Sequence, residues 1–193
     1  MTMELRSYGP GDESAWVRCR ALAFLGTAYF DDVLTTKPIH EQSIELVALH
    51  DSSLVGVIDV SFTGDAATIE TIAVDPTQFR NGIGSALLRE AIRRLPVKIR
   101  KLDAWTRDDE QANGWYLAQG FVESFRYLHV YASSDRELET AIPGPAEHLT
   151  PVKGFFHARI EHEESLRASF ERVHVCRQYV LSLPMAPQMK ESG

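Results

Sequence analysis

The sequence predicts an α/β fold with a mixed sheet, and three observations predict it. β-rich runs and helical patterns alternate in the order βααβββαβαβ, followed by a late strand. One apolar, β-branched run, Ile69 to Val74, passes through a short loop with paired glycines straight into an amphipathic helix. Of the 193 residues, 44% are hydrophobic and 24% charged, the balance of a chain that buries a core.

The elements follow in order. Met3 to Tyr8 reads as a first strand, closed by Gly9-Pro10-Gly11. Asp12 is a good N-cap for a helix that places Ala15, Trp16, Cys19, Leu22 and Ala23 at helical spacing. A second helix is expected over Thr27 to Thr36, stopping before Pro38. Ser43 to His50 and Leu54 to Phe62 read as a hairpin about Asp51-Ser52-Ser53. Gly64-Asp65 turns the chain into the strand Ala67 to Val74. After Gly84 a helix sets Leu87, Leu88, Ala91, Ile92 and Leu95 on one apolar face, and Pro96 ends it. Val97 to Trp105 is the next strand. Asp108 to Gln119 is a helix, with Asp108 and Gln111 as a capping box and Gly120 at its C-terminal cap. Phe121 to Ala132 is a long strand. An irregular stretch holding Ile142-Pro143-Gly144-Pro145 follows, then a short strand Phe155 to Ile160, a helix Glu163 to Arg172 and a final strand Val173 to Leu183. Pro184 to Gly193 has the composition of a loose tail.

Composition excludes some function classes. The length suits one sizeable core and is short for two, so a single domain over residues 1–193 is expected. No apolar run reaches the ~20 residues of a membrane span, and the N-terminus lacks a basic-then-apolar leader. Cys19 and Cys176 are far apart and in no metal-like spacing, and both read as reduced thiols of a cytoplasmic protein. A net charge of −7 argues against a nucleic-acid surface and suits either solubility alone or a cationic small substrate.

The chemistry-bearing stretch runs from Thr71 to Leu88. Strand, loop, Gly82-Ile83-Gly84 and helix together form an anion cradle. Glycine lets the backbone approach a ligand, and a helix N-terminus offers unpaired N–H groups and partial positive charge. Gly84-Ser85-Ala86 lacks the Lys of a P-loop, and Leu87 stands where the third glycine of a dinucleotide fingerprint belongs. The unit resembles motif A of the GCN5-related N-acetyltransferases (GNAT), whose loop reads Gln/Arg-x-x-Gly-x-Gly/Ala after a Val-x-Pro strand end. Here that end is Val74-Asp75-Pro76, and Phe79 takes the first Gln/Arg position, between Gln78 and Arg80. A second block, Trp115-Tyr116-Leu117-Ala118-Gln119-Gly120-Phe121, resembles motif B, Phe-Tyr-x-x-x-Gly-Phe. The resemblance is clear over Ser43 to Tyr131.

The resemblance implies the GNAT fold: a mixed, mostly antiparallel central sheet flanked by helices, here with an extended insertion, 133–172, before the last strand. It implies acetyl transfer from acetyl-CoA to a primary amine by direct transfer in a ternary complex. Acetyl-CoA is then the co-substrate and no metal is expected. The backbone of Phe79, Arg80, Asn81, Gly82, Ile83, Gly84 and Ser85 would hold the pyrophosphate, and Ile72, Ala73 and Val74 would pair with the pantetheine arm. Tyr116 would stabilise or protonate the departing thiolate; by pattern alone it is also a core aromatic. Glu70, on the strand and with the parity of Ile72 and Val74, would serve as general base through water; it also reads as a strand-end carboxylate in solvent. Asn113, one turn from Asp109, would replace the asparagine that family members place at the Asp109 position. Trp105, Thr106 and Arg107 end a strand beside the site, where Arg107 would steer an acid group or simply stay solvated. His129, His157, His162 and His174 cluster late in the chain; His174 and Cys176 would share a strand face, but in no recognised ligand spacing. The expected acceptor is a small-molecule or peptide amine, with no nucleic acid or membrane partner, and a homodimer is left open. The rival reading is an acyl-CoA-binding sensor without catalysis. The insertion, rich in Leu138, Ile142, Leu149, Val152, Phe155 and Phe156, is expected to pack back on the body or a second subunit, either forming part of the acceptor wall or only covering a sheet edge.

Overall fold

In the computed structural model the described residues are 3–142, 144 and 148–184. Eight strands, β1 (Met3–Ser7), β2 (Ser43–His50), β3 (Ser53–Thr63), β4 (Ala66–Val74), β5 (Lys101–Thr106), β6 (Val122–Ala132), β7 (Gly154–Ala158) and β8 (Arg172–Ser182), form one sheet. Its order is β1-β2-β3-β4-β5-β8-β6-β7. Five helices flank it: α1 (Glu13–Leu25), α2 (Ile83–Arg94), α3 (Glu110–Ala118), α4 (Asp135–Ala141) and α5 (Glu163–Ser169). The pairing of β4 with β5 is parallel and all other described pairings are antiparallel. This is the mixed, mostly antiparallel sheet expected for the GNAT fold.

Two faces of the sheet are buried differently. Leu46, Ile58, Val60, Ile69, Leu102 and Ala104 meet Ile83, Leu87, Leu88 and Ala91 of α2 and Tyr116 of α3 in the main core. On the opposite face, Val47, Val57 and Ala73 pack on Trp16 of α1. The tight β2–β3 turn uses Asp51 (φ 47°) and Ser52 (φ 67°), both left-handed as a two-residue hairpin favours. Gly56 of β3 lets α2 lie close: a Cβ there would sit 2.8 Å from Ile83 Cγ2.

Two features of β4 create the site. A bulge opposite Asp59 and Val60 leaves Glu70 without a cross-strand partner, since Ile69 pairs with Val60 and Thr71 with Asp59. The ladder with β5 ends at Ile69 and Ala104. Beyond it, β4 continues along β3 and β5 along β8, so the two strands fork.

Several sequence expectations are corrected. Thr27 to Thr36 is a chain of turns, with Phe30 N–H bonded to Thr27 O and Asp32 N–H to Tyr29 O. Long-range arginines hold it so. Arg20 grips the carbonyl and carboxylate of Asp32, and Arg172 grips the carboxylate of Asp31 and the carbonyl of Ala28. β5 begins only at Lys101, because after Pro96 the chain first spends Arg100 N–H on Asp65 O. α3 is capped by Asp109, whose carboxylate accepts from Ala112 N–H at 2.7 Å; Asp108 is drawn instead to His174 and Arg167. Within the stretch read as irregular lies α4, with a capping box of Ser134 and Glu137. α5 stops at Ser169, and β8 starts at Arg172. Of the expected loose tail, residues 185–193 lie outside the described residues.

The 133–172 segment packs on the body. β7 pairs with β6 and becomes an edge strand of the sheet. Leu138, Ile142, Phe156, Leu166 and Phe170 close over Leu128, Val130 and Val175 in a second core. Glu137 ties the segment down, accepting from Ser133 N–H, Ser134 N–H and Glu171 N–H at 2.7–3.1 Å. Chiefly through the Glu171 bond, its carboxyl is held down to about 2.

Candidate active site

The cradle forms where β4 meets α2. Gly82 caps α2 in a left-handed conformation (φ 74°), and Arg80 is also left-handed (φ 65°). Ala86 N–H is the first to reach an in-helix carbonyl, Gly82 O at 2.9 Å. The N–H groups of Ile83, Gly84 and Ser85 therefore have no partner within the helix, as at any helix start. Arg80, Asn81 and Gly82 are exposed while Ile83 is buried, so the apolar anchor fixes the turn and the polar backbone faces outward. Phe79 is also exposed, and Asn81 Nδ2 bonds Gln78 Oε1 at 3.3 Å. Asp75 shapes the entry to the loop by accepting from Thr77 Oγ1 and N–H; these bonds hold its carboxyl below the usual range.

Ile72 to Val74 run along one side of the fork. Their β3 edge is paired, and among the described residues no strand pairs with the other edge. Such an edge accepts an extended ligand by backbone hydrogen bonds. Across the fork, Trp115 of α3 approaches α2, and a Cβ built on Gly84 would lie 3.6 Å from its ring and 3.7 Å from Val74.

Tyr116 follows on α3. Its ring stacks on Tyr179 at 5.4 Å between centroids and meets Trp115 and Phe121 edge-on. Burial raises its phenol well above the usual value, so it remains a protonated donor at neutral pH. Tyr116 is thus a core aromatic by packing, whatever its hydroxyl contributes.

Glu70 is exposed, and its carboxylate accepts from Ser61 Oγ at 2.5 Å. The bulge overturns the expected parity. Ile72 and Val74 pack toward the α2 core as Ile69 does, whereas Glu70 joins Ser61 on the α1 face. Asn113 does not face the cradle in its hydrogen bonding. Its Nδ2 donates to Arg107 O at 3.2 Å, closing the end of β5, and its buried Oδ1 has no partner among the described residues.

A residue the sequence did not flag joins the site. Tyr29, from the turn segment after α1, accepts from Arg107 N–H at 3.0 Å just beyond β5. Burial pushes its phenol up to about 12, so it too stays protonated at neutral pH. Arg107 is buried, not free to steer an acid. It lies over the Tyr29 ring at 4.2 Å and donates to Ala28 O and to His129 Nδ1. His129 Nε2 reaches Tyr127 OH at 2.9 Å. Burial, with the Arg107 cation, lowers His129 to about 4 and keeps it neutral.

His174 meets Asp108 at 2.7 Å; against its own burial, that bond brings the Asp108 carboxyl to about 2. Among the described residues no three His, Cys, Asp or Glu side chains are grouped to hold a metal. Cys19 is pushed to about 12 by burial and Cys176 is raised by the same cause, which disfavours either as a thiolate nucleophile.

Residues 41–123 match the model of the acetyltransferase (GNAT) domain. The matched stretch, fewer than half of the 193 residues of the chain, is similar to a GNAT domain. Solved structures agree in fold over most of the chain's length. The ribosomal-protein-S18-alanine N-acetyltransferase from Escherichia coli superposes with a TM-score of 0.64 at 18% identity, over 97% of this chain and 98% of that one. An N-acetyltransferase from Staphylococcus aureus Mu50 gives 0.61 at 16%, over 95% and 100%. The PaiA N-acetyltransferase from Thermoplasma acidophilum, solved in complex with coenzyme A, gives 0.54 at 15%, over 64% and 92%. A search of curated proteins finds no match. The GNAT match spans β4, the glycine loop, α2 and α3, the elements that build the fork. No helix among the described residues is long and apolar enough to cross a membrane.

Proposed function

We propose that this protein transfers an acetyl group from acetyl-CoA to a primary amine. One observation carries the reading. The fork between β4 and β5 opens beside an unpaired strand edge and a helix N-terminus with three free N–H groups. An extended, phosphate-bearing thioester fits that combination, since the edge binds an amide-containing arm and the helix start binds the anion.

Acetyl-CoA supplies an acetyl group activated as a thioester. The chain's own groups do the rest. Arg80 to Ser85 hold the pyrophosphate through main-chain N–H groups, so Phe79 in place of Gln or Arg costs little. Glu70, exposed and oriented by Ser61, takes the proton of the incoming ammonium through water. Tyr116, protonated because it is buried, donates toward the thiolate as the C–S bond breaks. Asn113 acts indirectly by fixing the end of β5. The insertion supplies β7, which extends the α1 face of the sheet toward the acceptor side. The net charge of −7 favours a cationic acceptor, and the free, buried Cys19 and Cys176 suit a cytoplasmic protein.

The test is release of CoA thiol from acetyl-CoA across a panel of primary amines. Amine-dependent release supports transfer. Tight acetyl-CoA binding without release for any amine would make the protein a sensor instead.

A further inference from the structure

A cavity of about 750 Å³ opens where β5, β6 and β7 lie near one another. Its walls are aromatic: Trp105 from the end of β5, Phe125 and Tyr127 from β6, and His157 from β7. Trp105 and Phe125 meet edge-on at 6.2 Å, Trp105 and Tyr127 at 5.6 Å, and Tyr127 and His157 at 4.7 Å. Trp105 is 39% exposed and Phe125 55%, a large apolar area that the described residues leave uncovered. The Tyr127 hydroxyl is turned away to His129, so the groove receives its ring rather than its polar tip.

Charge is distributed in a matching way. Arg126 and Arg159 line the groove, but Glu123 and Glu161 neutralise them at 3.0 and 3.6 Å. The groove's inner end is different. The β4–β5 ladder ends at Ile69 and Ala104, so the next residues across the fork are Glu70 and Trp105. Trp105 lines the groove, and Glu70 stands on the neighbouring strand one residue past the last paired position. An ammonium is attracted by both, through charge and through the ring face.

We infer that the groove is the acceptor site and that the acceptor is a small arylalkylamine, its ring lying among Trp105, Phe125, Tyr127 and His157 and its ammonium at Glu70. The inference rests on the acetyl-transfer reading above. The ammonium gives one proton to Glu70 through water and its nitrogen lone pair attacks the thioester carbonyl. A C–N bond forms, the C–S bond breaks, and the sulfur leaves with the electron pair. The nitrogen loses its second proton as the thiolate gains one, so ammonium and acetyl-CoA yield N-acetylamine, CoA thiol and one proton. A polyamine would leave the rings unused, and an aminosugar would desolvate its hydroxyls against them without partners.

The experiment measures CoA thiol release with phenethylamine, tryptamine, spermidine, glucosamine and an alanyl peptide, alongside calorimetry with acetyl-CoA. Phenethylamine or tryptamine should exceed the other amines by about tenfold or more in kcat/KM, the scale of burying one aromatic ring against aromatic walls. Trp105→Ala should raise the arylalkylamine KM about tenfold and leave the acetyl-CoA KM nearly unchanged, and Trp105→Phe should recover most of the loss. Phe125→Ala, at an exposed position, gives the same readout without touching the fork. If acetyl-CoA binds and spermidine, glucosamine or the peptide is preferred, or if no amine reacts, the acceptor assignment falls. An unchanged arylalkylamine KM in both alanine variants also overturns it. If acetyl-CoA does not bind at all, the acetyl-transfer reading itself fails and takes this inference with it.

Discussion

Gly56→Ala tests how closely α2, and with it the cradle, is set against the sheet. A methyl group at Gly56 would stand 2.8 Å from Ile83 Cγ2 and 3.1 Å from Leu87 Cδ1. Both are side chains of a fully packed core, and Ile83 sits in the first turn of α2. Contact resumes only if the helix moves away by a few tenths of an ångström or if Ile83 leaves its rotamer. Overpacking of this kind costs about 1–3 kcal/mol, partly offset by the lower chain entropy of alanine in the unfolded state. For a chain of this size the melting temperature should fall by about 2–10 °C. Because Gly84 follows Ile83, acetyl-CoA affinity should fall as well. Gly114→Ala is the control: a Cβ there meets nothing within 4 Å, on the helix α3. It should stabilise by about 0.5–1 kcal/mol. Thermal unfolding and calorimetry of the two variants check both signs. A Gly56→Ala protein as stable as the parent, with the same acetyl-CoA affinity, would show that α2 is not held by this contact.

Three further outcomes are expected. Gly84→Asp places a carboxylate at the cradle where its Cβ still fits, so the fold should persist while calorimetric acetyl-CoA affinity falls at least about tenfold, or ~1.4 kcal/mol. Tyr116→Phe should lower kcat by roughly ten- to a thousandfold at unchanged acetyl-CoA affinity, measured where chemistry limits turnover. Asp59 is buried beside Lys37 at 3.6 Å, and burial pushes its carboxyl up to about 7 from 3.8. Its folded form holds a proton that the unfolded form releases, so its contribution to stability is present below about pH 4 and lost as pH rises through about 7. Asp59→Asn should remove that decline, about 2–4 kcal/mol between those limits, as read from denaturant titrations at a series of pH values.

The elements that build the cradle were legible because their signals are local. Val74-Asp75-Pro76, Gly82 and the stripe Leu87, Leu88, Ala91 specify strand end, turn and helix without reference to the rest of the chain. The neighbourhood of Glu70 was not legible. A bulge depends on how β4 pairs with β3, and that shift moved Glu70 to the face of Ser61. Tyr29 was missed for a similar reason. Its segment would suit a helix, but Arg20, Arg107 and Arg172, distant in sequence, hold it in turns and bring the phenol to β5. The aromatic groove combines β5, β6 and β7, whose adjacency no local pattern expresses. α4 was different: Ser134-Asp135-Arg136-Glu137 carries a capping box in plain sight, masked by the prolines and glycine that follow.

Hydrogen exchange at the backbone amides, with and without CoA, tests the cradle most directly. Bound CoA should slow exchange at residues 72–74 and 80–86, through the strand edge and the free N–H groups of the α2 start, and should do so far less in Gly84→Asp. Saturating CoA that leaves these amides exchanging as before, or protects a different segment, would contradict the placement of the cofactor at the β4–β5 fork.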